Sequence, residues 1–356
     1  MIVSRRVLSA VLMLSSITIG VVHGLSLGAP PTPTTAAMKA QELQDDLDDN
    51  GAMRFCEIGP TRFGRGLVAT RDLDAGEVVL RIPISRALIQ PDLGESDHWA
   101  GRLAMDVMNR QRSENCAYAN ALPEPPSVPS RGDWPESFMK EFDDVELESE
   151  VEAAMSWRYE QWEKNCGCRL DRKPYLDALD LVCSRTIRCD KDLMLVPLLD
   201  MANHASQAEG GGYYKLDGAD ICLFAGDRGV KLGEEITLDY GHRQNKDWIL
   251  HYGFLPSRNT IERVTLPESG RKVTLQDGRD ADDCLRQECN DYLQTLETTL
   301  EDDILTLRDS KTLDDRLRMA LEYRIARKTI LSAVAGSRAS TPFSSAFASS
   351  LDLVAQ

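Results

Sequence analysis

The chain lacks any acceptor site for N-glycosylation: none of its nine asparagines is followed two residues later by Ser or Thr. It also lacks a disulfide framework, because its nine cysteines are odd in number and scattered from Cys56 to Cys289, which excludes the small stapled folds of secreted domains. Together these absences speak against long residence in an oxidising, glycosylating lumen. No cysteine set has a common zinc spacing; in the tightest group, Cys166, Cys168, Cys183 and Cys189, Cys183 falls inside an apolar helical run. Positive charge is scarce, with 41 Lys and Arg against 57 Asp and Glu and a net charge of −16. A surface of that sign repels nucleic-acid phosphates. Its acidic clusters at Asp45 to Asp49, Glu141 to Glu152 and Asp280 to Asp283 read as solvated helix faces, with attraction of a basic protein substrate as the alternative. Long apolar runs are missing except Val7 to Val22, which is short for a membrane span.

What is present is enough for real cores: 356 residues, 42% hydrophobic, allow one large or two modest domains. Residues 1–24 read as a cleavable signal peptide, with Arg5-Arg6 before the apolar run and Val22-His23-Gly24 at the cut; a signal anchor is the other reading. Residues 25–51, beginning LSLGAPPTPTT, read as a linker or second targeting segment. The folded part opens with short strands at Arg54 to Ile58, Leu67 to Thr70 and Val78 to Ile82, with Gly64-Arg65-Gly66 as a tight loop between the first two. A helical insertion follows over about 92–182, in which Trp157 and Trp162 at helical spacing read as core. Beyond Phe254 the period becomes helical again, with helices expected at Ala281 to Leu296, Asp302 to Leu307 and from Thr312 to about Ala335, whose apolar stripe is Leu317, Leu321, Ile325 and Ile330. Residues 338–356 read as a loose tail.

The stretch Val196 to Phe254 concentrates the polar groups. An apolar run delivers Asp200, Asn203 and His204 to one loop, and a strand at Glu235 to Leu238 delivers Asp239, Tyr240 and Gly241 to another. An alternating strand at Asp220 to Ala225 lies between them, so the two loops are expected at one end of a small antiparallel sheet.

Asn203-His204, then Tyr240-Gly241, then Asp247 to Phe254 ending in Tyr-Gly-Phe, resemble in order and spacing the second half of the SET domain of Rubisco large-subunit methyltransferases and their relatives, including the branch that methylates actin histidine. The resemblance implies an α+β fold: small antiparallel sheets with knot-like C-terminal threading over residues 52–256, interrupted by the helical insertion and followed at 257–337 by a short helical, substrate-binding-like domain. It implies S-adenosylmethionine as cofactor and no metal, since the cysteine-rich zinc segment that many SET enzymes carry after the Tyr loop has no counterpart before Cys284. Gly64, Arg65 and Gly66 would meet the amino-acid end of the cofactor, with a glycine hairpin as the plain alternative. Arg185 would grip its carboxylate, with an ordinary ion pair as the alternative. Asp200, Asn203, His204 and Tyr240 would complete the cofactor site, and Gln244 and Asn245 would touch its far end. Tyr240 is the expected catalytic side chain, and Ile187, Tyr240 and Gly241 the expected acceptor channel, whose apolar wall suits lysine better than histidine. The implied activity is lysine N-methylation of a non-histone protein by a monomer; histidine methylation and a catalytically silent protein-binding module are the alternatives. A leader on an enzyme of this type implies the secretory route, ending in a plastid of secondary origin or in the lumen.

Overall fold

The computed structural model describes residues 33–91, 98–113, 116–123, 134–167, 170–256, 259, 262–309 and 313–336. The leader, Cys168, Ser257 at the expected junction and the tail lie outside the described residues. By its contacts the chain divides after Met38; of the first unit only the start of one helix is described, and Lys39–Gln356 holds everything below. That helix, α1 (Pro33–Asp49), covers most of the span read as a linker or second targeting segment over 25–51. Its residues Leu43 and Leu47, four apart, are fully buried in the main core. The proline-rich composition of the first half of this segment concealed the helical period of the second.

Strands β1 (Met53–Arg54), β2 (Cys56–Thr61), β3 (Gly64–Ala69), β4 (Val78–Pro83) and β5 (Leu88–Pro91) follow. β2 and β3 pair in register from Cys56↔Ala69 to Thr61↔Gly64, so only Arg62 and Phe63 form the turn. Gly64, Arg65 and Gly66, expected in a loop, therefore begin β3: with no residue out of register, nothing stops the ladder before the tip.

The insertion comprises α2 (Trp99–Ser113), α3 (Ala117–Ala121), α4 (Glu136–Lys140), α5 (Val145–Cys166) and α6 (Arg172–Arg185). Asp144 caps α5, its side chain accepting from Glu146 N at 3.0 Å, and Gly167 ends it at φ +51°. β6 (Ile187–Cys189) and β7 (Asp192–Leu195) then join β5 in a sheet of order β5-β7-β6, so the helices leave and re-enter one small sheet. Trp157 and Trp162 pack against the main core, as expected.

Next come β8 (Asn203–His204), β9 (Tyr213–Asp217), β10 (Asp220–Phe224) and β11 (Glu235–Leu238). The two polar loops do not share a simple antiparallel sheet. β11 pairs antiparallel with β3 and parallel with β8, in the order β2-β3-β11-β8, while β9 and β10 belong to a second sheet, β1-β4-β10-β9. The reason is topological: parallel neighbours need a crossover, and the β9–β10 hairpin, held on β4, is that crossover.

Beyond it lie α7 (Asn245–Tyr252), the pair β12 (Val264–Thr265) and β13 (Lys272–Val273), then α8 (Asp283–Thr295), α9 (Leu300–Asp309) and α10 (Asp315–Ala335). The β12–β13 pair was not foreseen, since two-residue strands show no alternation. A second core joins Phe138, Phe142 and Leu147 of the insertion to Ile249 and Leu250 of α7 and Met319, Ala320 and Tyr323 of α10. A third packs Val264, Val273 and Leu285 under Ile330, Leu331 and Val334. Among the described residues no helix is long and apolar enough to cross a membrane.

Candidate active site

Asn203 stands at the junction of β2, β3, β8 and β11. Its Nδ2 donates to Glu235 Oε1 at 2.7 Å and to Thr61 Oγ1 at 3.2 Å. Gly66 lies against this amide: a Cβ there would come within 2.8 Å of Asn203 Nδ2 and 2.7 Å of Thr61 Cγ2. Gly64 has a different reason to be glycine, a φ of +96° beside the turn. Gly66, lacking a side chain, thus lets β3 lie close to Asn203.

Arg185 is the last residue of α6, and its Nη1 donates to the Asp200 carbonyl at 2.6 Å, with the Asp200 carboxylate 3.7 Å away. Asp200 sits in a short helical turn after Leu198, whose φ of +63° is rare for a residue with a side chain. Its carboxylate is fully buried and accepts from the Tyr118 hydroxyl at 3.0 Å. Burial pushes that carboxyl up to about 6, against the opposing pull of Arg185, Tyr118 and Arg65. Arg65 faces the same group, and burial together with Arg185 lowers its own basicity. Two atoms here are buried without a partner, Arg185 Nε and Asp200 Oδ1.

Tyr240 lies on the other side of Asn203. Its hydroxyl donates to the Ala202 carbonyl at 2.7 Å, and its N–H donates to His204 Nδ1 at 3.3 Å. Burial holds the phenol well above its ordinary value, so it stays neutral. Burial also lowers the His204 imidazole, whose ring packs 4.4 Å from Trp248 and 5.2 Å from Tyr240 between centroids. With its basicity lowered and Nδ1 accepting from the Tyr240 N–H, the ring packs as part of an aromatic cluster. Tyr252 stands 5.2 Å from Tyr240, and the Tyr214 hydroxyl donates at 3.0 Å to the Arg188 carbonyl, next to half-buried Ile187. Gly241 turns away at φ +89°, its N–H held by Asp239 Oδ1 at 2.8 Å.

Arg65, Gly66, Arg185, Asp200, Asn203, His204 and Tyr240 are linked through these contacts; Gly64 stands beside the turn, and Gln244 and Asn245 are engaged elsewhere. Gln244 starts α7, its N–H bonded to Asp247 Oδ2 at 3.1 Å. Asn245 is 5% exposed, its N–H used by Glu262 and its Oδ1 by Asn259. Sequence reasoning missed Tyr118, Tyr214 and Tyr252. Tyr118 lies in a five-residue helix of otherwise small residues and left no periodic signal.

Small sheets, one of them closed by a parallel pair that brings Asn-His beside Tyr-Gly, define a SET-type fold. The SET domain family model matches residues 64–241, half of the 356-residue chain, and the chain belongs to that family. It is 26% identical over 249 residues to the chloroplastic [fructose-bisphosphate aldolase]-lysine N-methyltransferase of Arabidopsis thaliana, covering 58% of this chain and 50% of that protein. Over 74 residues it is 36% identical to the actin-histidine N-methyltransferase of Canis lupus familiaris, covering 21% of this chain and 12% of that protein. The chain therefore spans half the length of the first relative and much less of the second. The SET domain of LSMT bound to lysine and AdoHcy superposes with a TM-score of 0.65 at 17% identity, covering 84% of this chain and 90% of that one. Rubisco LSMT bound to AdoMet gives 0.64 at 16% identity, covering 84% and 91%. These likenesses bear out the α+β SET architecture.

Proposed function

We propose that the protein is an S-adenosylmethionine-dependent protein methyltransferase acting on the Nε of lysine in a protein substrate. The observation that carries this reading is the charge balance at the end of α6. Two guanidiniums, Arg65 and Arg185, face one buried carboxylate whose ionisation burial opposes, and Arg185 Nε lacks a partner. An incoming carboxylate is the complement of that arrangement, because a guanidinium can give it two parallel hydrogen bonds. Arg65 and Arg185 would hold the carboxylate end of the cofactor beside Gly64, Gly66, Asp200, Asn203 and His204. Asn245 is spent on the start of α7, so we assign it no cofactor contact. Bound S-adenosylmethionine supplies the electrophilic methyl group.

The chain itself must align the acceptor, exclude water and favour the neutral amine. A lysine of pKa ~10.4 costs roughly 4.6 kcal/mol to deprotonate at pH 7. Walls made by Ile187, Tyr214, Trp248 and Tyr252 lower that cost by desolvation. Tyr240 gives its own proton to Ala202, so its oxygen is left to accept from the amine. Ile187 gives the channel an apolar side that suits a lysine stem. The 74-residue likeness to actin-histidine methyltransferase supports histidine as the second reading.

Calorimetry with S-adenosylmethionine should show binding, and Arg185→Ala should weaken it by about 1.5–3 kcal/mol, roughly 10- to 150-fold. No binding at millimolar cofactor sinks the proposal. Binding without labelled product in a lysate favours the silent module, and mass spectra showing only methylhistidine reassign the acceptor. We propose also that the leader carries the chain into the secretory route and on to a plastid of secondary origin or the lumen. The chloroplastic relative supports the plastid branch. A fluorescent fusion of residues 1–38 that stays cytosolic would refute both.

A further inference from the structure

The loop after Tyr240-Gly241 is held at its far end by Asn259 and Glu262. Asn259 Nδ2 donates to the Arg243 carbonyl at 2.8 Å and to Asn245 Oδ1 at 2.9 Å. Glu262, 8% exposed, accepts from the Asn245 N–H at 2.6 Å. Lys246 bonds Glu146 at 2.9 Å and Glu150 at 2.5 Å, both from α5. Residues 243–246 are thus gripped between the insertion and the chain that follows α7. α7 in turn sets the aromatic wall: Trp248 packs on His204 and Tyr252 on Tyr240, while Ile249 and Leu250 enter the core shared with α10.

We propose that Asn259 and Glu262 are positioning residues, a clasp through which the chain beyond residue 256 fixes the Tyr240-Gly241 loop and the start of α7. The proposal deepens the methyltransferase reading and rests on it for its effect on turnover. It gives the short C-terminal part a task that does not require it to recruit substrate. Glu262 is suited to the task because it can accept a strong bond in a buried place where water cannot replace it. The groups facing it are Arg327 and Tyr323 of α10 and Lys246 and Asp247 of α7. Burial pushes its carboxyl up to about 7, only partly offset by the Asn245 N–H and Arg327.

The folded state favours the protonated carboxyl, so the contribution of Glu262 to stability is largest below the unfolded carboxyl pKa and falls as pH rises towards about 7. Glu262→Gln keeps an acceptor oxygen for Asn245 and removes that dependence. Its urea midpoint relative to the wild type should therefore move upward between pH 5 and pH 8; a constant difference contradicts the assignment.

The clasp itself is tested on the full chain by trypsin, reading cleavage after Arg243 by mass, and in parallel by steady-state methyl transfer. Asn259→Ala and Glu262→Ala should speed that cleavage at least tenfold and lower kcat about tenfold with cofactor affinity unchanged. Glu262→Gln should stay near wild type in both. Unchanged cleavage in both alanine variants overturns the clasp, and faster cleavage with unaltered kcat overturns its positioning role. Should the wild type bind no cofactor, the methyltransferase reading fails and the cleavage arm alone decides whether the clasp exists. If the alanine variants do not fold, Asn259→Asp, which keeps the shape and loses the Nδ2 donor, decides: faster cleavage after Arg243 supports the clasp and wild-type cleavage overturns it.

Discussion

Tyr240→Phe is expected to lower kcat by roughly 10- to 100-fold while cofactor affinity stays within a factor of about two, the loss of one hydrogen bond used at the reacting centre. The proton of the hydroxyl is committed to the Ala202 carbonyl at 2.7 Å, which turns the remaining lone pairs to whatever enters beside it. Because burial keeps the phenol neutral, the role we propose for Tyr240 is to orient the acceptor and not to deprotonate it. The pH–rate profile of Tyr240→Phe should then keep the wild-type shape at a lower level. Part of the loss is indirect, since Ala202 is left with an unpaired carbonyl next to Asn203. Comparison of kcat with cofactor affinity separates the two: displacement of Asn203 weakens binding, whereas a lost acceptor contact appears in turnover alone. If kcat is unchanged, the hydroxyl has no role in transfer.

The strands next to the site were legible from their apolar residues: burial alternates along β11, and β10 is buried on both faces from Ile221 to Phe224. β11 lies at Glu235–Leu238 as expected, and β10 ends one residue before the expected Ala225. Which sheet each strand joins was not legible, since alternation shows that a strand has a buried face but not which neighbour covers it. Arg185 and Asn203 were reachable only through resemblance: an arginine at a helix end and an asparagine after an apolar run are ordinary in isolation. At Gly66 the structure supplies a cause that the sequence did not show, for the groups that would crowd a Cβ are the side chains of Thr61, Asn203 and Glu235. On α10 the stripe Leu317, Leu321, Ile325 and Ile330 was only half right. Leu321 and Ile330 are buried, Leu317 and Ile325 are partly exposed, and Arg324, Arg327 and Lys328 are buried beside them. A periodicity argument turns charged residues outward, and only the carboxylates of other elements explain why these point in.

One of those carboxylates carries the largest expected effect on stability. Asp303 of α9 is 1% exposed; its Oδ1 accepts from Arg324 Nη2 at 2.6 Å and Thr298 Oγ1 at 2.8 Å, and its Oδ2 from Lys328 Nζ at 2.7 Å. Asp303→Ala would leave two buried cations on α10 without this anion. Lys328 would keep the neutral Thr298 at 2.7 Å, and Arg324 the Glu141 carbonyl at 3.0 Å with that residue's half-exposed carboxylate at 3.8 Å, a distant and solvated countercharge. Removing one partner of a buried pair costs about 3–5 kcal/mol. That is a large share of the roughly 5–15 kcal/mol that holds a domain folded. Asp303→Asn should cost less, because it keeps one acceptor oxygen. We propose residues 257–337 as a second folded part, and this variant also tests how far that part stands alone. α10 places Met319, Ala320 and Tyr323 in one core with the insertion and α7, and the Tyr323 ring meets Phe142 edge-on at 5.6 Å. Loosening α10 should therefore reach α7 and its aromatic wall. In urea unfolding followed by far-UV circular dichroism and by bound cofactor, Asp303→Ala should lower both midpoints together. Loss of helix at low urea with cofactor still bound would show instead that the C-terminal helices unfold on their own, and that α10 does not support the site.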